Sequence, residues 1–121
     1  MTVSILKQRG HLIASIQTAL TDTEVIELRD ALLAEVARHR ARGIIVDVAA
    51  LDVIDSFVAR SLSTVARTNR LRGARTVVVG IQPDVATAMS QFGLQLGAVE
   101  TALDLEAGLA LLDEAPAPIP R

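Results

Sequence analysis

Short apolar runs alternate with segments of helical periodicity along most of the chain, and this alternation constrains the fold more than any other feature. Aliphatic and β-branched runs occur at 3–6, 12–16, 44–48 and 76–79. After the second run, apolar residues between the runs recur every three or four positions, as they do on one face of a helix. Strands that alternate with helices form a mainly parallel sheet with right-handed crossover connections.

The predicted order of elements is β-β-α-β-α-β-α-β-α, a mixed, mainly parallel sheet of about five strands flanked by about four helices. The first two runs form a hairpin that turns at Gly10, and a short edge strand is expected at 98–101. Residues that commonly open helices mark the predicted helix starts: Asp22, Ser56, Pro83 and Asp104. Glycines mark the predicted ends of the first three helices: Gly43, Gly73 and Gly93.

Each predicted helix carries an apolar stripe that would face the sheet. The stripes are Val25, Leu28, Leu32 and Val36, widened by Ile26 and Leu33, then Val58, Leu62 and Val65, then Val85, Met89 and Phe92, and finally Leu105, Leu109 and Leu112. The chain contains two Phe and neither Trp nor Tyr, so the core is expected to be aliphatic. We therefore predict an α/β fold whose layers pack through Leu, Ile, Val and Ala.

Length and composition exclude several classes of function. The 121 residues fit one domain, expected at 1–113, with a flexible Pro-rich tail at 114–121. A net charge of −2 and few aromatic residues provide neither a basic field nor a stacking surface for nucleic acid. Cysteine is absent, which excludes thiol chemistry. No apolar run approaches the ~20 residues of a membrane span, and the N-terminus lacks the pattern of a signal peptide, so a cytoplasmic location without membrane contact is expected.

Ser56 is the main candidate for a functional residue. It follows Asp55 where a polar loop passes into the second helix, at the carboxyl end of a predicted buried strand. One interpretation is structural, because serine is a preferred N-cap residue. The other is regulatory, because a phosphate at this position would meet the free N–H groups and positive dipole end of the helix. Sequence spacing alone leaves both interpretations open.

Three carboxylates precede the same helix, and Asp47, Asp52 and Asp55 could in principle bind magnesium. A phosphoacceptor receiver domain would also need an acidic pair after its first strand and a lysine on a later strand. Here the first strand leads to Gln8 and Arg9. The favoured interpretation is that Asp47 accepts nearby backbone N–H groups while the other two are solvated loop acids.

No residue pattern indicates catalysis. His11 and His39 are the only histidines, and neither has the spacing of a zinc site or a catalytic pair. The seven glycines form no nucleotide-binding fingerprint. Arg60, Arg67 and Arg70 are expected on the outer face of the second helix, as a solvated face or as a contact stripe for an acidic partner. We predict a protein that is not an enzyme and that needs no cofactor or metal.

Four segments carry a resemblance to a known family: SILKQRGHLIASIQTALTD, ARGIIVDVAALDVIDSFVAR, GARTVVVGIQPDVATAMSQFG and TALDLEAGL. The chain resembles the STAS domains, which are named after sulfate transporters and anti-sigma factor antagonists, and the likeness extends to about Leu112. The combination of DSFVAR and GIQP is typical of the RsbS-like scaffold branch of the bacterial stressosome. Phe57 and Val58 depart from the Ser-Ser-Gly or Ser-Gly that commonly follows the aspartate in classical anti-sigma factor antagonists.

The resemblance implies a scaffold that co-assembles with RsbR-type STAS proteins and with copies of itself. It implies that an RsbT-type serine kinase is held inactive by the assembly, phosphorylates the serine of the Asp-Ser pair, here Ser56, and then leaves. A serine phosphatase would reset the site. The expected partner contacts around Ser56 are Asp52, Ile54, Asp55, Phe57, Arg60 and Ser61.

Two alternative functions remain open from the sequence. The chain could be an anti-sigma factor antagonist that docks directly on an anti-sigma kinase, outside any large particle. It could also be a metal- or ligand-binding domain that uses Asp47, Asp52 and Asp55. Thr87 and Ser90, in the third predicted helix, are further hydroxyls that a kinase could modify.

Overall fold

The computed structural model describes residues 3–93 and 96–114 of the chain. Over these residues the elements follow the predicted order, with five strands and four helices. They are β1 Val3–Gln8, β2 His11–Ile16, α1 Asp22–His39, β3 Gly43–Asp47, α2 Ser56–Leu71, β4 Arg75–Val79, α3 Pro83–Gln91, β5 Glu100–Ala102 and α4 Leu105–Asp113. The predicted α/β class, mixed sheet and number of elements are confirmed.

The strands lie side by side in chain order, β1-β2-β3-β4-β5, and only β1 runs antiparallel to its neighbour. The β1–β2 turn consists of Arg9 and Gly10, with φ of 52° and 79°. Both residues are thus left-handed, which suits the twist of a two-residue hairpin. The carboxyl ends of β3, β4 and β5 share one edge of the sheet, so the loops that follow these strands lie together there.

Two apolar layers cover the sheet. Each crossover helix joins neighbouring parallel strands in the same direction, so the right-handed rule puts α1, α2 and α3 on one face. The packing agrees: Ile44, Val46 and Val78 share a buried cluster with residues of these three helices. Alternate strand residues such as Ile45 and Val77 point to the other face and pack against α4. The core is aliphatic, as predicted, and its strand residues in both layers are almost fully buried.

Glycines allow α4 to approach the sheet closely. A Cβ on Gly108 would lie 2.8 Å from Cγ1 of Val79, and one on Gly43 would lie 2.7 Å from Cδ1 of Leu112. Both distances are shorter than carbon atoms tolerate. Gly43 therefore serves close packing at the start of β3, and the prediction that it ends the first helix is wrong. Arg40, which is left-handed at φ 49°, is the C-cap of α1.

A polar contact fixes the end of α4. Arg75 donates to both carboxylate oxygens of Glu100, at 2.6 and 2.9 Å, and to the backbone oxygens of Leu111 and Glu114 at 3.1 and 3.2 Å. The hydrogen bonds from Arg75, reinforced by its charge, lower the pKa of Glu100 despite partial burial. One side chain thus links β4, β5 and the last turn of α4.

Some details of the helices differ from prediction. The N-cap of α1 is Thr21 and not Asp22: Thr21 Oγ1 accepts the amide of Glu24 at 3.2 Å, and Oε1 of Glu24 accepts the amide of Thr21 at 3.0 Å. This is a capping box. Ile26 and Phe92, expected in buried stripes, are 39% and 78% exposed. Phe92 is the C-cap of α3 and so lies one residue beyond the helix.

The remaining helix stripes are mostly confirmed. Val25, Leu28, Leu32, Val36, Leu62, Val65, Val85, Met89, Leu109 and Leu112 are buried, and Leu33, Val58 and Leu105 are half-buried. The edge strand is Glu100–Ala102, where 98–101 was expected. The predicted tail at 114–121 lies, apart from Glu114, outside the described residues. Within the described part of the chain, no helix is long and apolar enough to cross a membrane.

Candidate functional site

The site is built on the loop that joins β3 to α2. Backbone bonds hold the loop against the sheet edge: Val48 N–H donates to the oxygen of Val79 at 3.0 Å, and Leu51 N–H donates to the oxygen of Val48 at 2.9 Å. Leu51 and Ile54 are both 4% exposed and anchor the loop in the core. The residues between and after these anchors, including Ser56, therefore occupy defined positions at the carboxyl edge of the sheet.

Asp55 is the N-cap of α2. Its backbone is extended, with φ −84° and ψ 176°, and its Oδ1 accepts the amide of Val58 at 2.9 Å. Ser56 is the first residue of the helix and does not fill the capping position. The interpretation of Ser56 as a plain N-cap is therefore wrong, because the carboxylate next to it performs that role.

Ser56 is exposed, and its hydroxyl lies at the positive end of α2. The amides of Ser56 and Phe57 belong to the first turn and have no intrahelical acceptor. The first turn of α2 contains no acidic residue, so these amides are not neutralised from within the helix. An anionic group attached to Ser56 would therefore find N–H donors and a favourable dipole at once.

The predicted contact residues divide into an exposed and a buried group. Asp52, Asp55 and Arg60 are exposed and Phe57 is half-buried, so these four present surface within four positions of Ser56 in the chain. Ile54 and Ser61 are 4% and 8% exposed and lie in the interior. Neither of these two presents a surface to a partner in this structure, because each points inward from the loop or helix that carries it.

Two exposed apolar residues at the same edge were not selected from the sequence. Val53, in the loop before Ser56, is 72% exposed, and Leu103, just after β5, is 83% exposed. Leu103 lies against the loop that follows β4, because its backbone oxygen accepts the amide of Gly80 at 3.1 Å. The sequence did contain a signal for each, namely an aliphatic residue next to polar residues in a loop. That signal indicates a shared surface only once the structure shows that the loops after neighbouring strands lie together.

Gly80 supports the Ser56 loop from the neighbouring strand. Its φ is +79°, and a Cβ there would lie 2.9 Å from Cβ of Ala49 and 3.1 Å from Oδ1 of Asp47. Gln82, in the same loop as Gly80, adds a hydrogen bond of 2.7 Å from its Nε2 to the backbone oxygen of Ala49. The backbone of the loop that leads to Ser56 is thus held by a close glycine contact and an amide side chain.

The three loop carboxylates do not converge. Oδ1 of Asp47 accepts the amide of Ala49 at 2.9 Å, which matches the favoured structural interpretation. Asp55 is engaged as the cap of α2, and Asp52 is exposed to solvent. Among residues 3–93 and 96–114, no group of three potential ligands could hold a metal ion. The magnesium alternative therefore finds no support in this geometry.

The remaining candidates lie elsewhere. Nε2 of His11 lies 3.3 Å from Oδ1 of Asp113, a pair that sequence spacing could not show because the partners are 102 positions apart. His11 opens β2 and so lies at the opposite edge of the sheet from Ser56. Arg60, Arg67 and Arg70 are exposed on α2, as predicted.

Comparisons with known proteins give a consistent result. The family described as the STAS domain matches residues 2–106. RsbS from Moorella thermoacetica, solved with a serine-to-glutamate substitution, is 35% identical, with a TM-score of 0.79 over 93% of this chain and 95% of the other. A chain from a solved structure of the stressosome is 34% identical, with a TM-score of 0.71 over 90% of this chain and 95% of the other.

One curated relative is a longer protein. The RsbT co-antagonist protein RsbRA of Bacillus subtilis is 30% identical over 89 residues, which is 73% of this chain and 32% of that protein. The chain therefore spans about a third of this relative.

Proposed function

The chain belongs to the STAS domain family, and from this premise we propose that it is a non-enzymatic stressosome scaffold protein. It co-assembles with RsbR-type STAS proteins and with copies of itself, and it holds an RsbT-type serine kinase in an inactive state. Phosphorylation of Ser56 releases the kinase, and a serine phosphatase restores the unmodified hydroxyl.

One observation carries the proposal: Ser56 is exposed at the first position of α2, and the N-cap of this helix is Asp55 and not Ser56. A serine that caps a helix keeps its hydroxyl oxygen engaged with a backbone amide, and its modification would weaken the fold. Here the fold relies on Asp55 for that hydrogen bond. A kinase could therefore modify Ser56 without opening the first turn of the helix.

The electrostatics of the site favour a large change in partner binding and a small change in stability. A phosphate adds roughly −1.5 to −2 charges at neutral pH. The start of α2 would stabilise this charge by about 0.3–1 kcal/mol, whereas the exposed carboxylates of Asp52 and Asp55 would repel it. The two effects oppose each other within the fold. A partner bound over Ser56 is repelled by the added charge, and the favourable interaction of that charge with the helix start does not offset this loss of affinity. We therefore expect the partner to be displaced.

The proposed contact surface consists of Asp52, Asp55, Phe57 and Arg60, extended by the exposed apolar side chains of Val53 and Leu103. Apolar residues ringed by charged ones are typical of a protein-binding surface. Because the surface is mixed, burial of Val53 and Leu103 would provide affinity, while Asp52 and Arg60 would select partner and orientation.

The similarities support a stressosome role over a role on an isolated anti-sigma kinase. The RsbS chain is matched over 95% of its length at 35% identity, so the similarity extends across the whole domain. RsbRA is named as a co-antagonist of RsbT, and its matched region covers 73% of this chain. STAS proteins that resemble one another in this way can pack through equivalent surfaces.

An affinity pull-down of the cognate RsbT-type kinase tests the release step. Ser56→Ala should retain the kinase, and Ser56→Asp should lose at least about tenfold in affinity, since one buried like-charge contact costs several kcal/mol. Thr68→Asp is the matched control, because Thr68 is exposed on the same helix and distant from its start. Equal kinase binding by the two Ser56 variants would contradict the proposal.

Size-exclusion chromatography with the RsbR-type partner tests the assembly step. The two proteins should elute together as a particle far larger than either one. If the chain stays small with the RsbR-type protein but binds an anti-sigma kinase directly, the antagonist function replaces the scaffold function.

A further inference from the structure

An apolar cavity of about 210 Å³ opens between α1 and α2. Of the fourteen described residues that line it, eleven are hydrophobic, among them Leu28, Leu62 and Val65. The lining comes from α1, from α2, from the end of β2, from the loop between β2 and α1, and from the loop that leads to Ser56. Five parts of the fold thus contribute to this partly open cavity, and its floor consists of buried core residues such as Leu32 and Val65.

The size of this cavity suits a ligand. An engineered apolar cavity of about 150 Å³ in another protein stays free of water and binds benzene. An aliphatic lining offers water few hydrogen bonds, so filling the cavity with an apolar molecule is favourable. Ligand sites in proteins generally have this character, with a mostly hydrophobic lining and a few polar groups.

Three polar side chains also line the cavity: Arg29, Asp55 and Ser61. Nε of Arg29 donates to Oδ1 of Asp30 at 3.2 Å, and Oδ1 of Asp55 accepts the amide of Val58. The charge of Arg29 is therefore balanced by a neighbouring carboxylate, and that of Asp55 is directed partly into the helix. A ligand with one uncharged polar group can hydrogen-bond to these side chains without leaving a net charge in an apolar space.

The cavity wall includes the residues on either side of Ser56. Val53, Asp55 and Val58 all contribute to the lining, and Asp55 and Val58 are the two partners of the capping hydrogen bond. Contact with both partners restricts the motion of the first turn of α2. A bound molecule therefore stabilises the segment that presents the Ser56 hydroxyl.

The geometry points to a binding site for a small, mainly apolar, uncharged molecule in the cavity between α1 and α2, and the occupied cavity stabilises the start of α2. Binding itself is independent of the proposed phosphorylation of Ser56. The regulatory consequence, a slower modification of Ser56 by the kinase, rests on that proposed function.

Titration of ¹⁵N- and methyl-labelled protein with 1-hexanol tests the site by NMR. We expect saturable shifts of the Leu28, Leu62 and Val65 methyl groups, with a dissociation constant on the order of millimolar, as befits so small a ligand. Hydrogen exchange at the amides of Val58 and Ala59 should slow severalfold at saturation. Shifts that do not saturate, or that are spread evenly over the surface, would overturn the site. Unchanged exchange at both amides would overturn its effect on α2.

A cavity-filling variant provides the control. Ser61→Leu places a larger apolar side chain in the cavity and should abolish the saturable shifts while keeping or raising the midpoint of thermal unfolding. Thr68→Leu, an exposed change on the same helix, should bind 1-hexanol like the wild type. If Ser61→Leu does not fold, Val58→Leu fills less of the same space and should weaken binding at least severalfold. Wild-type binding by a folded filling variant would refute the assignment.

A kinase assay separates this inference from the proposed function. If 1-hexanol binds and Ser56 is phosphorylated at an unchanged rate, the regulatory consequence is wrong while the binding site stands. If the kinase does not modify Ser56 at all, the proposed function fails, and the NMR titration still decides the site.

Discussion

Oδ1 of Asp55 lies 2.9 Å from the backbone nitrogen of Val58, and this hydrogen bond spans the serine at the start of α2. Because Asp55 supplies the cap, Ser56 occupies the first helical position with an exposed side chain. Asp55 thus stabilises the start of the helix, and the hydroxyl of Ser56 is left available for modification.

Replacement of Asp55 by alanine should destabilise the fold and impair the site. Loss of the N-cap costs about 1 kcal/mol in the free energy of unfolding, measurable by urea denaturation. Asp104→Ala is a matched control, because Asp104 caps α4 in the same way, accepting the amide of Ala107 at 2.9 Å. Both variants should lose similar stability, but only Asp55→Ala should weaken kinase binding. Equal effects on the kinase would show that Asp55 acts through stability alone.

Ser56→Asp should fold with nearly unchanged stability. The helix start favours the new charge by about 0.3–1 kcal/mol, and repulsion from Asp52 and Asp55 offsets this gain. The free energy of unfolding should therefore change by less than about 1 kcal/mol. Urea denaturation of Ser56→Asp and Ser56→Ala in parallel measures the change. A loss well above this limit would mean that reduced kinase binding reflects unfolding and not charge.

Gly80→Ala should be markedly more destabilising than Gly73→Ala. Both glycines are left-handed, with φ of +79° and +83°, so both variants incur a backbone cost of about 1 kcal/mol. Nothing lies within 4 Å of a Cβ built on Gly73, whereas one on Gly80 meets Ala49 at 2.9 Å. This overlap should add about 1–3 kcal/mol. Equal unfolding midpoints would argue against close contact between Gly80 and the Ser56 loop.

The ion pair between Arg75 and Glu100 should make stability depend on acid pH. The pKa of Glu100 is lowered in the folded chain, so its stabilising contribution is full above the unfolded value of about 4.3 and is lost as pH falls through the folded pKa. The Glu100 side chain is 39% exposed, so the contribution is about 0.5–1 kcal/mol.

Glu100→Gln tests this dependence. The stability difference between wild type and variant should be largest near pH 7 and should shrink towards zero below about pH 4. Urea denaturation at several pH values measures it. Glu27→Gln, at an exposed position on α1 beyond its first turn, controls for the general loss of a carboxylate. A difference independent of pH would mean that the ion pair contributes through packing alone.

Much of the architecture could be predicted because periodicity is a local property. The buried stripe of α1 repeats every three or four residues, and the runs that became β3 and β4 are mainly apolar and β-branched. The turn at Gly10 and the cap at Asp104 were also predictable, since each depends on residues within one turn. Such signals fix the type and order of the elements with little reference to the rest of the chain.

The errors occurred where neighbouring residues share the same chemistry. Thr21 and Asp22 can both cap a helix, as can Asp55 and Ser56, and the choice depends on where the backbone leaves its extended conformation. Gly43 looked like a helix stop because its real constraint, the side chain of Leu112, lies far along the chain. In each case the deciding contact or backbone turn is not encoded in the local pattern.

The sequence by itself determined an α/β domain with a mainly parallel sheet and a serine at the start of its second helix. Only the tertiary structure decided that Asp55 is the cap, that Ile54 and Ser61 point inward, and that a cavity lies between α1 and α2. The physical reason is the range of the interactions: helix and strand formation depends on residues a few positions apart, whereas burial and cavities depend on packing between distant segments.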